Sequence, residues 1–468
     1  MSERPAYNTR YLWMTTLVSA MGGLLFGYDW VVIGGAKPFY EKYFNLTTPS
    51  AIGWAMSCAL VGCLVGSLVS GGLSDRYGRK KLLILAGFLF TVTGVLTGLA
   101  PTFAFFVVNR LLGGVAIGLA SNLSPMYIAE ISPAEVRGKF VSVNQLTIVF
   151  GVLGAQLANW LIARPVAAGA SAAEILSSWN GQVGWRWMFA AEAVPAFLFF
   201  VLMFTVPESP RWLVKNGRGA EAERILGKVG GAGFAGKAMG EIRATLAATD
   251  IQKVRFRALL EPGMARVLLI GIVLAVYQQW CGINVIFYYA EEVFSQAGYG
   301  VSDILFNIVL TGAVNLVFTL VAIRLVDRLG RKPLMMIGSA GLAAAFGLIG
   351  ASYAFHTRGV HLLALVVIAM ALYALSLAPI TWVLLSEIFP NRIRGAAMSV
   401  SVFSLWTACL ILTYTFPHLN KGLGPAGTFW IYAGISVFGF LFIRARLTET
   451  KGKTLERIEH ELVGEREG

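Results

Sequence analysis

Leu73-Ser-Asp-Arg-Tyr-Gly-Arg-Lys-Lys81 is written a second time as Leu325-Val-Asp-Arg-Leu-Gly-Arg-Lys332, 252 residues further on. Another pair repeats in the same order: Glu130-Ile-Ser-Pro-Ala-Glu-Val-Arg-Gly138 and Glu387-Ile-Phe-Pro-Asn-Arg-Ile-Arg-Gly395, 257 residues apart. Two charged motifs recurring at nearly one offset mark an internal duplication. Around these loops the chain is apolar. It is 56% hydrophobic and 13% charged, with a mean hydropathy of +0.68; a soluble domain carries about twice that charge. A run of about 20 apolar residues crosses a bilayer as a helix. Twelve such runs are expected, at 11–33, 51–73, 82–100, 103–129, 140–163, 185–206, 267–289, 302–326, 333–355, 361–386, 396–417 and 426–444.

The sequence therefore predicts an all-α integral membrane protein of twelve transmembrane helices in two six-helix halves. The N-terminal half is placed at 1–206, a cytoplasmic helical linker at 207–266, the C-terminal half at 267–446 and a cytoplasmic tail at 447–468. With the N-terminus inside, 31 of the 38 Lys and Arg fall on the cytoplasmic side. Lys37, Lys42, Arg164, Arg186, Arg358 and Lys421 fall opposite, and Arg110 is left within a span. That asymmetry follows the positive-inside rule. It makes the net charge of +13 a consequence of topology and removes any need for a nucleic-acid partner. Both termini are expected in the cytoplasm of a plasma membrane, in bacteria the inner membrane.

Several chemistries are absent from the pattern. Cys58, Cys63, Cys281 and Cys409 all lie in apolar runs, spaced neither as zinc ligands nor as a disulfide framework. The linker has no His or Cys, and Gly230-Gly-Ala-Gly-Phe-Ala-Gly236 has neither a preceding strand nor a following Lys-Ser/Thr. Its apolar residues Leu213-Val214, Ile225-Leu226-Val229 and Met239-Ile242-Leu246 recur at helical spacing, which predicts short amphipathic helices. No metal, cofactor or enzymatic activity is expected. What does stand out is Asp29 in Gly22-Gly-Leu-Leu-Phe-Gly-Tyr-Asp29, near the outer end of the first span. An ionisable group inside a membrane span is costly enough to imply a function.

Two parallel six-helix halves are the layout of major facilitators. Within that fold the chain resembles the sugar porter family, nearest to its bacterial proton-linked xylose and monosaccharide symporters. The resemblance rests on Asp75-Arg-Tyr-Gly-Arg-Lys80, Pro207-Glu-Ser-Pro-Arg-Trp212, Gln278-Gln-Trp-Cys-Gly-Ile-Asn284, Asp327-Arg-Leu-Gly-Arg-Lys332, Ser386-Glu-Ile-Phe-Pro390 and Glu449-Thr-Lys-Gly-Lys-Thr-Leu-Glu456. It implies a monosaccharide importer that works by proton symport through alternating access, with a sugar, a proton and the bilayer as its partners and a monomer as its working form. Asp29 and Arg110 match the family's coupling pair. At 1.5 Å per residue their depths are comparable, and Glu192 lies at a similar depth to tune them. Separating the pair favours protonation of the aspartate.

The resemblance further implies sugar contacts at Gln278, Gln279 and Asn284 in helix 7, Asn315 in helix 8 and Trp382 in helix 10, with Phe26 and Tyr288 lining the pocket. An amide both donates and accepts, which suits hydroxyls. The repeated loops become a cytoplasmic gate of weak ion pairs: Asp75, Arg79, Glu130, Arg137, Glu208 and Arg211 in the first half, Asp327, Arg331, Glu387 and Arg394 in the second. The chain also departs from the pattern. Val152 and Leu405 stand where the family has sugar-binding glutamines, Cys409 replaces an asparagine, Ala378 a glycine, and Trp30 follows Asp29 in place of a small residue. Gln156, one turn beyond Val152, is the candidate substitute. A site with fewer polar groups points to a pentose or deoxysugar. The alternatives are a proton-independent facilitator or a transporter-like nutrient sensor.

Overall fold

The computed structural model describes residues 7–167, 169–251, 259–296, 298–357, 359–390, 393–453 and 461–462; among these the side chains of 247–251, 262 and 327 are not described. Its first helix, α1 (Thr9–Tyr43), is followed by α2 (Pro49–Tyr77), α3 (Arg79–Gly98), α4 (Phe103–Ile131) and α5 (Ala134–Ile162). All are long and apolar enough to cross a membrane. The next span is assembled from pieces: a π-helical turn at Asn180–Gly184, then α7 (Trp185–Ala190) and α8 (Ala193–Leu202). A short helix, α6 (Ala172–Ser177), precedes it in the connecting loop, held by a capping box between Ser171 and Glu174.

Two linker helices follow, α9 (Pro210–Lys215) and α10 (Gly219–Ile251), the latter broken at Gly230–Gly231. The second half holds α11 (Pro262–Trp280), α12 (Ile283–Tyr288), α13 (Ala290–Gln296), α14 (Val301–Leu329), α15 (Arg331–Ala354), α16 (Val360–Leu375), α17 (Leu377–Ile388) and α18 (Arg394–Arg446). α18 is two spans joined at Gly424, whose φ of 69° turns the chain between them. Twelve crossings are thus present among the described residues.

Three departures from the predicted spans matter for function. α1 runs ten residues past its predicted end at 33, so Asp29 sits well inside the helix, about 21 Å from Tyr43 at helical rise. Gly34, Gly35 and Pro38 look like loop residues locally. Packing overrides them: a Cβ on Gly34 would collide with the carbonyl of Phe287, and one on Gly35 with Asn159. Spans 7 and 10, predicted as continuous, are broken. Span 7 breaks at Gly282 (φ 97°) between α11 and α12 and again before α13; span 10 breaks at Ser376 between α16 and α17. Freed backbone of this kind is tolerated at membrane depth only where protein or a cavity satisfies it.

Compactness divides the chain in a pattern that differs from the repeat. One unit takes α1 through Trp30, then Val61–Ala155, and the chain from Phe189 through α10. In it α3 packs on α4 and α8. The linker joins this unit below, where Val229 is buried with Leu12, Ala20, Ile128 and Phe140, and the Asn8 amide donates to the Val229 carbonyl at 2.8 Å. The other unit takes Val31–Leu60, Gln156–Met188 and the chain from α11 onward. There α18 packs on α11 and α15, and α14 and α15 on α16.

Candidate functional site

The residues expected to couple come together in the first unit. Arg110 on α4 donates Nη1 to the Asp29 carboxylate and Nη2 to the Asp29 carbonyl at 3.2 Å. Both side chains are almost fully buried, at 4% and 2% exposure. The guanidinium lies 5.5 Å over the Phe189 ring, adding cation–π attraction in a dry site. Gly113 leaves the space that this requires, since a Cβ there would lie 3.2 Å from Asp29 Oδ2. Glu192 is equally buried and stands at the break between α7 and α8, with Oε1 free of hydrogen-bond partners among the described residues. Glu192 is close enough to feel the charges of both Asp29 and Arg110. The trio holds two acids and one base in a buried site, and ionisable groups placed so are costly enough to mark a functional site.

The amides come together in the second unit as a relay. Gln278 Nε2 donates to the Tyr373 hydroxyl at 3.1 Å. Gln279 Nε2 donates to Gln278 Oε1, and Asn284 Nδ2 to Gln279 Oε1, both at 2.5 Å. Gln279 and Asn284 are five residues apart and would diverge on a regular helix. The left-handed turn at Gly282 re-aims α12 and closes that gap. Asn284 Oδ1 and Gln156 Oε1 are buried with no hydrogen-bond partner among the described residues, a costly condition unless something else occupies it. Asn315 on α14 and Phe26 on α1 are buried, as is Tyr288 on α12; Trp382 on α17 is half-buried. Among the departures, Cys409 sits 4.0 Å from Asn284 Nδ2, and Leu405 and Val152 are buried. A weakly polar thiol thus borders the relay.

A sequence profile described as "Sugar (and other) transporter" matches residues 15–462. The chain belongs to that family. This transporter is 40% identical to the D-xylose-proton symporter of Escherichia coli K12 over 97% of its own length and 96% of the relative's. It is 36% identical to the arabinose-proton symporter of Bacillus subtilis, covering 97% and 96%. Its fold matches the partially occluded inward-open xylose transporter XylE of E. coli with a TM-score of 0.83 at 38% identity, covering 95% of this chain and all of the other. The transporter is therefore a multi-pass membrane protein with the major facilitator fold, and its family consists of carriers.

At one end of the helices the two repeated motifs build the same device in each half of the transporter. In the first, Arg79 pairs with Glu130 through Nε at 3.0 Å and Nη2 at 3.1 Å and reaches Asp75 at 3.3 Å. Lys215 holds the other oxygen of Asp75 at 2.9 Å. In the second, Arg331 Nη2 donates to Glu387 at 3.1 Å. Sequence reasoning found these residues and Glu208, but not Glu449, which holds the matching place in the second half. Glu208 accepts the Arg79 and Lys80 amides at 3.0 and 3.1 Å, capping α3, and Glu449 accepts the Arg331 and Lys332 amides at 3.0 Å each, capping α15. Ser209 then donates to Glu130, and Thr450 to Glu387. Pro207-Glu-Ser and Glu449-Thr are thus a third repeat, too short to be recognised by eye.

The electrostatics of the two caps differ. Burial pushes the Glu208 carboxyl up against the pull of its backbone donors. Burial acts the same way on Glu449, but the amides of Lys451, Arg331, Lys332 and Thr450 outweigh it and hold that carboxyl low. Of the remaining predicted gate residues, Arg394 donates to the Phe389 carbonyl at 3.1 Å, Arg211 is half-buried and Arg137 is exposed. The side chain of Asp327 lies outside the described residues. Removing either cap leaves two helix-terminal amides without their acceptor, at about 1–2 kcal/mol. Glu208→Ala and Glu449→Ala are expected to lower the thermal midpoint of the detergent-solubilised transporter by similar amounts. A clear drop in one with no change in the other contradicts the equivalence.

Proposed function

We propose that the chain imports a monosaccharide together with a proton by alternating access. The observation that carries this reading is the buried trio of Asp29, Arg110 and Glu192 in a sugar transporter whose relatives include proton symporters of xylose and arabinose. A permanent ion pair would be a poor use of the site, because buried pairs are often replaceable by apolar residues without loss of stability. A pair that opens and closes with access is instead a switch that ties the charge of this site to the conformational change. The solute occupies the amide relay, where Gln278, Gln279, Asn284 and Asn315 offer hydroxyl partners and Trp382 an aromatic plane. Both termini are cytoplasmic and the working unit is a monomer. The motif residues from Asp75 to Arg394 act as the inner gate.

The test is the direction of proton movement. In de-energised cells expressing the protein, addition of substrate is expected to alkalinise the medium. Sugar uptake without any pH change would favour the facilitator reading. The substrate itself follows from the altered border of the relay. Valine, leucine and cysteine at 152, 405 and 409 satisfy fewer hydroxyls, and an unmatched buried hydroxyl costs about 1–3 kcal/mol. Pentoses and deoxysugars are therefore expected to bind at least about tenfold more tightly than hexoses carrying the extra hydroxyl. Isothermal titration against a panel of both checks the order, and a preference for the fully hydroxylated hexose would reverse it.

A further inference from the structure

The extension of α1 carries a second charge cluster that the transport reading does not use. Lys37 is 2% exposed, and its ammonium lies 2.5 Å from Glu41, 2.5 Å from Glu292 and 3.3 Å from Glu291. Glu41 is on α1 with the lysine; the other two are on α13. Oxygens of the three carboxyls lie within 4.8 Å of one another. A cavity of about 440 Å³ opens beside them, lined also by Gln296, Asn420 and Lys421. Glu292 Oε2 is buried with no hydrogen-bond partner among the described residues. α1 is the helix of Asp29, and α13 continues from α12, the helix of Asn284.

We propose that Lys37, Glu41, Glu291 and Glu292 form a second, outer proton-binding site that latches the end of α1 to α13. The charge count favours a proton, since the three acids outnumber the bases even with Lys421 on the cavity wall. Three carboxylates around one ammonium leave two uncompensated negative charges in a space where each repels the others strongly. One proton halves that excess and lets all three acids stay within reach of Lys37. Moving α1 away from α13 separates and hydrates the acids, and the proton affinity falls back toward that of free glutamate. Closure and proton uptake are thereby linked.

The groups facing Glu292 support this. Lys37, Glu41 and Tyr40 approach from α1, Glu291 and Tyr289 from its own segment, and Lys421 borders the cavity from α18. The tyrosine hydroxyls are engaged elsewhere, Tyr289 with the Thr413 carbonyl and Tyr40 with Met56. Burial first, then Glu291 and Glu41, push the Glu292 carboxyl up to about 8 against the opposing pull of Lys37. An acid whose affinity is raised in the closed form favours that form wherever it stays protonated. The contribution is complete below the range of free glutamate, about 4.3, and is lost as pH rises through about 8.

The proposal needs alternating access but no part of the coupling role given to Asp29, so it is tested in an Asp29→Asn background. Spin labels on cysteines placed at the exposed Thr47 and Ser295 report the separation of the two segments in nanodiscs between about pH 5 and about pH 9.5. A short distance in acid is expected, with a longer population growing at least about threefold as pH passes the titration of Glu292. Glu292→Gln, which is neutral and isosteric, is expected to stay short throughout. Lys37→Met is expected to populate the longer distance at every pH, and Lys37→Arg to restore the wild-type curve. An unchanged pH response in Glu292→Gln overturns the proposal. So does a single distance at all pH values, or a closed Lys37→Met.

Discussion

Asp29→Asn is expected to reduce concentrative sugar uptake to simple equilibration. An inward gradient of about one pH unit supplies about 1.4 kcal/mol per proton, and a potential of about 100 mV supplies about 2.3 kcal/mol more. One proton per sugar can therefore hold an accumulation of about 500-fold. Asparagine fills the same space beside Gly113 and still offers Arg110 an oxygen, but it carries neither the charge nor the proton. The accumulation ratio in proteoliposomes is expected to fall from that ceiling to about one. Counterflow of labelled sugar, which needs binding and the access change alone, is expected to survive within about tenfold. Retained accumulation that still collapses with a protonophore would show that the proton rides elsewhere. Loss of both activities would mean that the uncompensated Arg110, buried at 4% exposure, had damaged the fold, a loss of about 3–5 kcal/mol for a broken buried pair. Arg110→Met in the same background removes that stranded charge and separates the two outcomes.

The parts of this molecule that were legible in sequence are those set by composition and local repetition. The bilayer forces apolar runs of fixed length, so the crossings and the duplication could be counted. Asp29 and Arg110 were legible because a charge inside an apolar run has no neutral explanation. Illegible features were those decided by partners far along the chain. Gly34, Gly35 and Pro38 signal a loop, yet the helix continues because Phe287 and Asn159 pack closely on its glycines and Glu291 and Glu292, some 250 residues away, neutralise Lys37. Lys37 and Lys42 were counted as outer loop charges, and nothing within their neighbourhood indicates burial. The breaks in spans 6, 7 and 10 were hidden because hydropathy does not register a change of direction. Gly282 was the available signal for one of them, since glycine followed within two residues by a polar amide suits an interruption at membrane depth. The capping role of Glu449 was present in a quoted motif, but only its amide partners at Arg331 and Lys332 reveal that it repeats Glu208.

The same break in span 7 makes Gln279 the residue on which sugar binding depends most. It is the middle of the relay, donating to Gln278 and accepting from Asn284, so its removal acts on both neighbours. Gln279→Ala takes away a direct amide partner for the solute and strands Gln278 Oε1 and Asn284 Nδ2, which then turn to new positions or stay unsatisfied. Each lost or misdirected bond to a buried hydroxyl costs about 1–1.5 kcal/mol. Two or three together are expected to weaken binding by about 100-fold or more, at 1.4 kcal/mol per factor of ten. Asn315→Ala, on another helix and outside the relay, is expected to cost about tenfold. Gln279→Glu keeps the acceptor for Asn284 and loses the donor to Gln278, and it places a charge in a dry site. It is therefore expected to bind no better than Gln279→Ala near neutral pH and to recover part of the loss in acid, when the side chain is neutral and donates again. Titration calorimetry on the purified variants reads all three. An affinity for Gln279→Ala within about threefold of wild type, with the fold intact by circular dichroism, would show that the relay holds the broken helix together and that the solute binds elsewhere.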